Sequence, residues 1–161
     1  MRTYLAALAL ILIGSAAFAE DKDITVNTGD ASLKMTVPKD TEVTKKTGRT
    51  ILHATAPKVW IYLFEVPGAK TVDEAVPNAP KIIKSEFVEF APGETKDIKV
   101  AGHDAKHLIG KGAEADDNDP GTADVVIFTD GKHVFAALVH GEKDEAAKER
   151  PELLKVLKSI K

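Results

Sequence analysis

Two apolar runs, residues 125–128 and 134–139, flank the turn dipeptide Asp130-Gly131. Paired as a hairpin, they place Val126, Phe128, Phe135 and Val139 on one face. The other face carries Val125, Ile127, Val134, Ala136 and Leu138. Side chains alternate across a strand, so a pair that is apolar at both parities needs cover in front and behind. A single sheet with one wet face is thereby excluded, and a layered architecture is required. Asp-Gly between apolar runs predicts a two-residue type I′ turn. In that register Thr129 faces Lys132, Phe128 faces His133 and Val126 faces Phe135.

The flanking sequence supplies strands and covers. Residues 24–27 and 32–37 read as strands around Thr28-Gly29-Asp30, with Leu33, Met35 and Val37 on one face and Pro38 as the stop. Residues 41–46 read as strand or loop. Residues 50–56 pair with 59–66 across Pro57-Lys58. The second of these is apolar at both parities, so Trp60, Tyr62 and Phe64 read as central core rather than as a stacking platform. Thr71 and Glu74 form a capping box, with Glu74 reaching back, that opens a helix over 71–84; Pro77 and Pro80 predict that it is bent or broken. Residues 85–90 and 95–100 read as a hairpin around Ala91-Pro92-Gly93. His103-Asp104 reads as a turn into a strand over 105–110, and 116–121 as a polar loop. Gly141 ends the last strand. Pro151 suits the first turn of a terminal helix whose apolar stripe is Leu153, Leu154, Val156, Leu157 and Ile160. The expected class is α+β: a mostly antiparallel twisted sheet with helices on both faces.

Residues 1–19 have the three parts of a secretory signal peptide. Arg2 is followed by an apolar run over 4–13, and Ala17-Phe18-Ala19 is a small-x-small cleavage site. The apolar run is about half of the ~20 residues that span a bilayer, so no membrane span is expected after cleavage. The 161 residues less these 19 leave 142, the size of one domain. The expectation is therefore an exported single domain over 20–161. The formal charge is −3, and Arg2 is the leader's one charged residue, so the mature chain carries −4 and lacks a nucleic-acid footprint. The chain has no cysteine. That excludes disulfides, thiolate metal sites, a cysteine nucleophile and a lipidated N-terminal cysteine.

The order of elements resembles the PsbP/Mog1-like α/β/α sandwich family, including its exported bacterial DcrB-type members. The resemblance lies in Val37-Pro38, residues 59–66, the helix over 71–84, Ile98-Lys99-Val100-Ala101-Gly102 leading into 105–110, the hairpin over 125–140 and the helix over 153–160. It implies a non-catalytic accessory or binding protein. Photosynthetic members assist an assembly, and another branch binds a small GTPase. None of their functional motifs is matched here, so no site residue is transferred.

Candidate chemistry is sparse. His103, Asp104 and His107 would share a face on a helix, but four residues along a strand span ~13 Å, too far for ligands at ~2 Å from one zinc ion. His133 and His140 fall on opposite hairpin faces. All five histidines, including His53, therefore read as turn, rim or surface residues. Glu114, Asp116, Asp117, Asn118 and Asp119 are clustered oxygen donors, the raw material of a calcium site, but they lack the EF-hand spacing and read as a solvated turn. Gly110-Lys111-Gly112 is too short to cradle a nucleotide. The serines, Ser15, Ser32, Ser85 and Ser159, stand in no nucleophile motif. No enzyme, catalytic residue or cofactor is expected. The expected function is an exported accessory or binding protein of the cell envelope, with an unidentified protein or envelope partner. The alternative is a periplasmic metal- or small-ligand-binding protein using the 114–121 loop or its histidines.

Overall fold

The computed structural model of the protein describes residues 20–142 and 144–161; the leader assignment lies outside them. Nine strands and three helices follow in order: β1 Asp21–Thr28, β2 Ala31–Pro38, β3 Glu42–Lys46, β4 Arg49–Thr55, β5 Lys58–Glu65, α1 Val72–Ala75, α2 Ala79–Ile82, β6 Phe87–Val100, β7 His103–Glu114, β8 Pro120–Thr129, β9 Val134–Glu142 and α3 Glu145–Lys158. A 3₁₀ turn, Val76–Asn78, joins α1 to α2. Seven strands form one sheet in the order β3-β4-β5-β9-β8-β7-β6, antiparallel at every pairing. The class is α+β with a mostly antiparallel sheet.

The central hairpin β8–β9 divides its side chains as the alternation requires. Val126, Phe128, Phe135, Ala137 and Val139 belong to one apolar cluster, with Leu153, Val156 and Leu157 of α3. Val125, Ile127, Val134, Ala136 and Leu138 belong to the other, with Ala75, Ala79 and Ile83 from the α1–α2 region. The type I′ register is overturned. Phe128 faces Phe135 and Val126 faces Ala137, a slip of two residues from the two-residue turn. The cause is Asp130, whose Oδ1 accepts from the amides of Lys132 (2.8 Å) and His133 (2.7 Å) and so builds a four-residue turn. An even slip preserves side-chain parity, so both faces survive the wrong register.

The β1–β2 hairpin does not join the sheet edge. It forms its own two-stranded sheet and lays Val26, Leu33, Met35 and Val37 into the α3 cluster. The end of α3 is tied to β2: Ser159 Oγ accepts from the Thr36 amide (2.8 Å), and the Lys161 amide donates to the Lys34 carbonyl (3.1 Å).

Four further expectations are corrected. Residues 85–100 hold no hairpin. From Phe87 onward they form one long strand paired along β7, with register shifts around Glu89 and Pro92-Gly93, and the true turn is Ala101-Gly102. The Pro-Gly dipeptide is absorbed as a bulge, a way for a strand to carry a proline. His103 and Asp104 thus open β7 rather than turn into it. Pro151 is not in a first turn either, because α3 begins six residues earlier and the proline lies inside it. Gly141 continues β9 instead of ending it. A Cβ there would lie 2.6 Å from Glu145 Cβ, so its bare backbone is what admits the first turn of α3.

Around α1 the capping box is shifted. Thr71 Oγ1 accepts from the Glu74 amide (3.2 Å), but Glu74 Oε2 accepts from Lys70 (2.8 Å) rather than from Thr71. The helical segment is broken at the prolines, as their missing donors predict.

Candidate functional site

An open cleft of about 380 Å³ lies where β5 and β9 part company. Their ladder runs from Glu65↔Phe135 to Tyr62↔Leu138 and stops. Beyond it the Trp60 amide has no strand partner and donates to Glu149 Oε2 of α3 at 3.1 Å. Trp60, Tyr62 and His140 line the cleft together with Glu114, Glu145 and Glu149. Short α1 and α2 pack against Phe64, Leu108 and Leu138, and the Trp60 end of the same sheet face lies outside that cluster.

The reading of Trp60 as core is therefore overturned. Its parity with Tyr62 and Phe64 is as expected, but the helical cover is too short to reach it. Trp60 is 38% exposed, and with Val43 it is one of two large apolar side chains exposed among the described residues. One indole face is taken by its cross-strand neighbour His53, stacked at 3.7 Å between centroids and 16° between planes. The ring is thus held in place without being buried.

Behind it, His140 sits against Tyr62 (5.1 Å) and Phe87 (5.6 Å). Its side chain is 11% exposed, and neither ring nitrogen has a hydrogen-bond partner; Nδ1 is 3.7 Å from Glu114 Oε1. Burial holds the imidazole below its ordinary pKa, hence neutral at pH 7. Burial also raises Glu149 to about 6. Glu114 is raised by burial and by the charges of Asp117 and Asp116. Tyr62 is pushed up to about 12, first by burial and then by Glu86, Glu114 and Glu149. Lys58 and Lys148 share the lining with the three glutamates, so the cleft carries a net charge of about −1, and Lys58 offsets part of the rise at Glu149.

A second polar cluster lies under α3 and is structural. Asp124, on a strand otherwise apolar, has a side chain 1% exposed. It accepts from Arg150 through both oxygens (Nε 2.6 Å, Nη2 3.0 Å) and lies 2.5 Å from His107 Nε2. Burial alone would raise its carboxyl, but these two partners hold it below the usual range. His107 is therefore no surface residue, and it does not meet His103, which opens the same strand and lines a different cleft with Asp104. In that cleft of about 650 Å³ the charges answer one another: Lys106 pairs with Asp97 (2.5 Å) and Lys99 with Asp104 (2.7 Å). A third cleft, about 490 Å³, has Arg49 in its wall, already paired with Glu86 at 2.5 Å.

The acidic loop brings one carboxylate oxygen each of Glu114, Asp116 and Asp117 within 4.8 Å of one another. Two of these residues also close the turn. Asp116 Oδ1 accepts from the Asp117 amide and Asp117 Oδ1 from the Asp119 amide, both at 3.0 Å, and Asn118 takes a left-handed φ of 61°. Asp119 lies outside that group of carboxylates. Gly110 and Gly112 stand where a side chain would clash. They make room for the rings of Phe90 and Phe87, each 2.6 Å from where a Cβ would stand.

Sequence reasoning missed Glu149, Arg150 and the pairing of His107 with Asp124. Asp124 carried a signal, since a carboxylate in an apolar strand needs a buried partner. Nothing in the order of residues tied Glu149 to Trp60, 89 positions away.

No family model and no curated protein matches the chain. Solved structures do. The solution structure of cyanobacterial PsbP from Synechocystis is similar over 92% of this chain and 95% of that one, with a TM-score of 0.53 and 14% identity. A protein of Bacteroides thetaiotaomicron is similar over 80% of this chain, with a TM-score of 0.50 and 16% identity; the match spans 44% of that protein's length. Among the described residues no helix is long and apolar enough to cross a membrane. By its strand order and these likenesses, the chain has the PsbP/Mog1-like fold that its element order resembles.

Proposed function

We propose that this chain is an exported, non-catalytic accessory protein of the cell envelope, an α/β/α sandwich that works by holding a partner at the Trp60 cleft. The observation that carries the reading is Trp60 itself: an exposed indole, braced by His53, at the mouth of an open cleft. Exposed, rigid aromatics at a concave site are what binding surfaces use as anchors. The cleft lining contains no serine or threonine to act as a nucleophile. Its histidine is neutral, and its closest carboxylate contact is too long for a hydrogen bond. That arrangement favours binding over acyl or phosphoryl transfer. Export rests on the sequence of the leader.

The test is affinity capture from native envelope extract with the wild-type chain and with Trp60→Ala. Trp60 is partly exposed, so the variant is expected to fold. A component held by the wild type and lost from the variant supports the reading. Identical retention by both overturns it.

A further inference from the structure

The preceding reading leaves the chemistry of the partner open, and the inference here rests on it. From the cleft's walls we infer that it receives a basic side chain, the guanidinium or ammonium group of an arginine or lysine on a partner protein.

Three glutamates, Glu114, Glu145 and Glu149, line a cavity of about 380 Å³. Lys58 and Lys148 share the lining, yet among the described residues neither is within ion-pair distance of a carboxylate. Glu149 spends one oxygen on the Trp60 amide, and Glu114 has a neutral imidazole at 3.7 Å and the like charges of Asp116 and Asp117 beside it. A cation entering here meets acceptors that the protein has not satisfied.

The aromatic wall fixes the kind of cation. Indole is the best π-face for a positive group, and this one lines the cleft with His53 stacked on one of its two faces. The methylene stem of a long basic side chain would lie along Trp60 and Tyr62 while its head reaches the glutamates. A bare metal ion fits less well. The three glutamates do not form a group of carboxylates within 4.8 Å; only Glu114 does, and it does so with the loop residues outside the cleft lining. Carboxylates spread around an aromatic wall match a large, delocalised cation.

Trp60 is the chain's only tryptophan, so its fluorescence reports directly on the cleft. The mature chain is titrated with N-acetyl-Gly-Arg-Gly-amide, and in parallel with the Gly-Glu-Gly analogue. The expected result is a saturable change with the arginine peptide, with a millimolar Kd, and none with the glutamate peptide. Glu149→Gln should weaken the arginine peptide about fivefold or more. Lys148→Gln, which removes a competing cation, should tighten it. A cooperative melting transition shows that each variant is folded.

No saturable response to about 50 mM arginine peptide overturns the inference. So does an equal response to the glutamate peptide, or an unchanged Kd in Glu149→Gln. If envelope capture still depends on Trp60 while the arginine peptide fails, the basic side chain is wrong and the docking role stands.

Discussion

Replacing Glu149 by Gln removes a charge but keeps an oxygen able to accept from the Trp60 amide. Burial raises this carboxyl from 4.5 to about 6. At full value that corresponds to roughly 2 kcal/mol of penalty on the ionised form. Glu149 is partly open to solvent, and screening brings the figure to about 1 kcal/mol. Its sign follows from proton counting. Between 4.5 and about 6 the folded chain binds more protons than the unfolded chain, so stability falls as pH rises through that window and stays lower above it. Below 4.5 both states are neutral at this position and the penalty is absent. Glu149→Gln should therefore gain about 1 kcal/mol near pH 7.5 and nothing near pH 4. Urea unfolding followed by Trp60 emission at both pH values reads the difference, and comparison with wild type cancels every other titrating group. A loss of stability at pH 7.5, or an equal gain at both pH values, would refute the assignment of Glu149 as an unsatisfied buried carboxylate.

Asp124→Asn strips the charge that Arg150 and His107 share. Urea unfolding should show a loss of about 1–3 kcal/mol at neutral pH, because the partly exposed Arg150 loses its anion and the buried His107 its charged partner. Since the folded carboxyl is held below its ordinary range, the wild-type advantage should be complete above that range and fade as pH falls through the folded value. Gly141→Ala pushes a methyl to 2.6 Å from Glu145 Cβ; a cost of about 1–3 kcal/mol is expected, with a changed Trp60 emission as the first turn of α3 retreats. For the acidic loop, millimolar Ca²⁺ should move the melting temperature by less than about 1 °C, because its residues already serve to close a turn. A saturating upward shift would place an ion between Glu114, Asp116 and Asp117.

The mostly antiparallel α+β fold was legible because its core depends on parity, and parity tolerates error. The β8–β9 register is displaced by two residues, yet each side chain from Val125 to Val139 still reaches its intended cluster. The broken helix was legible for a similar reason: Pro77 and Pro80 act locally through a missing donor and a steric clash. The β6 reading failed where two local signals competed. Pro92-Gly93 is a turn signal on its own, but β7 offers an uninterrupted partner along 103–114, and the ladder it supplies outweighs the turn. The terminal helix failed in the same way, with its packing against the sheet extending it past Pro151.

The cleft was illegible because it is made of absences. Residues 59–66 are apolar at both parities, which describes a strand covered on both faces. Whether Trp60 is covered depends on where α1 and α2 stop, and that depends on prolines at 77 and 80 and on a chain that must return to start β6 at Phe87. The gap in the β5–β9 ladder then has to be filled by something, and Gly141 lets α3 come close enough to fill it with Glu149. Each step is a consequence of length rather than of composition. The resulting carboxylate costs the folded chain stability, and the sheet could have capped the Trp60 amide with a neutral glutamine instead. A charge kept at such a position, beside a partly exposed indole, suits a site that receives a cation. If Glu149→Gln proves more stable and also loses the arginine peptide, stability and binding oppose each other at one side chain, as they do where a residue serves a partner rather than the fold.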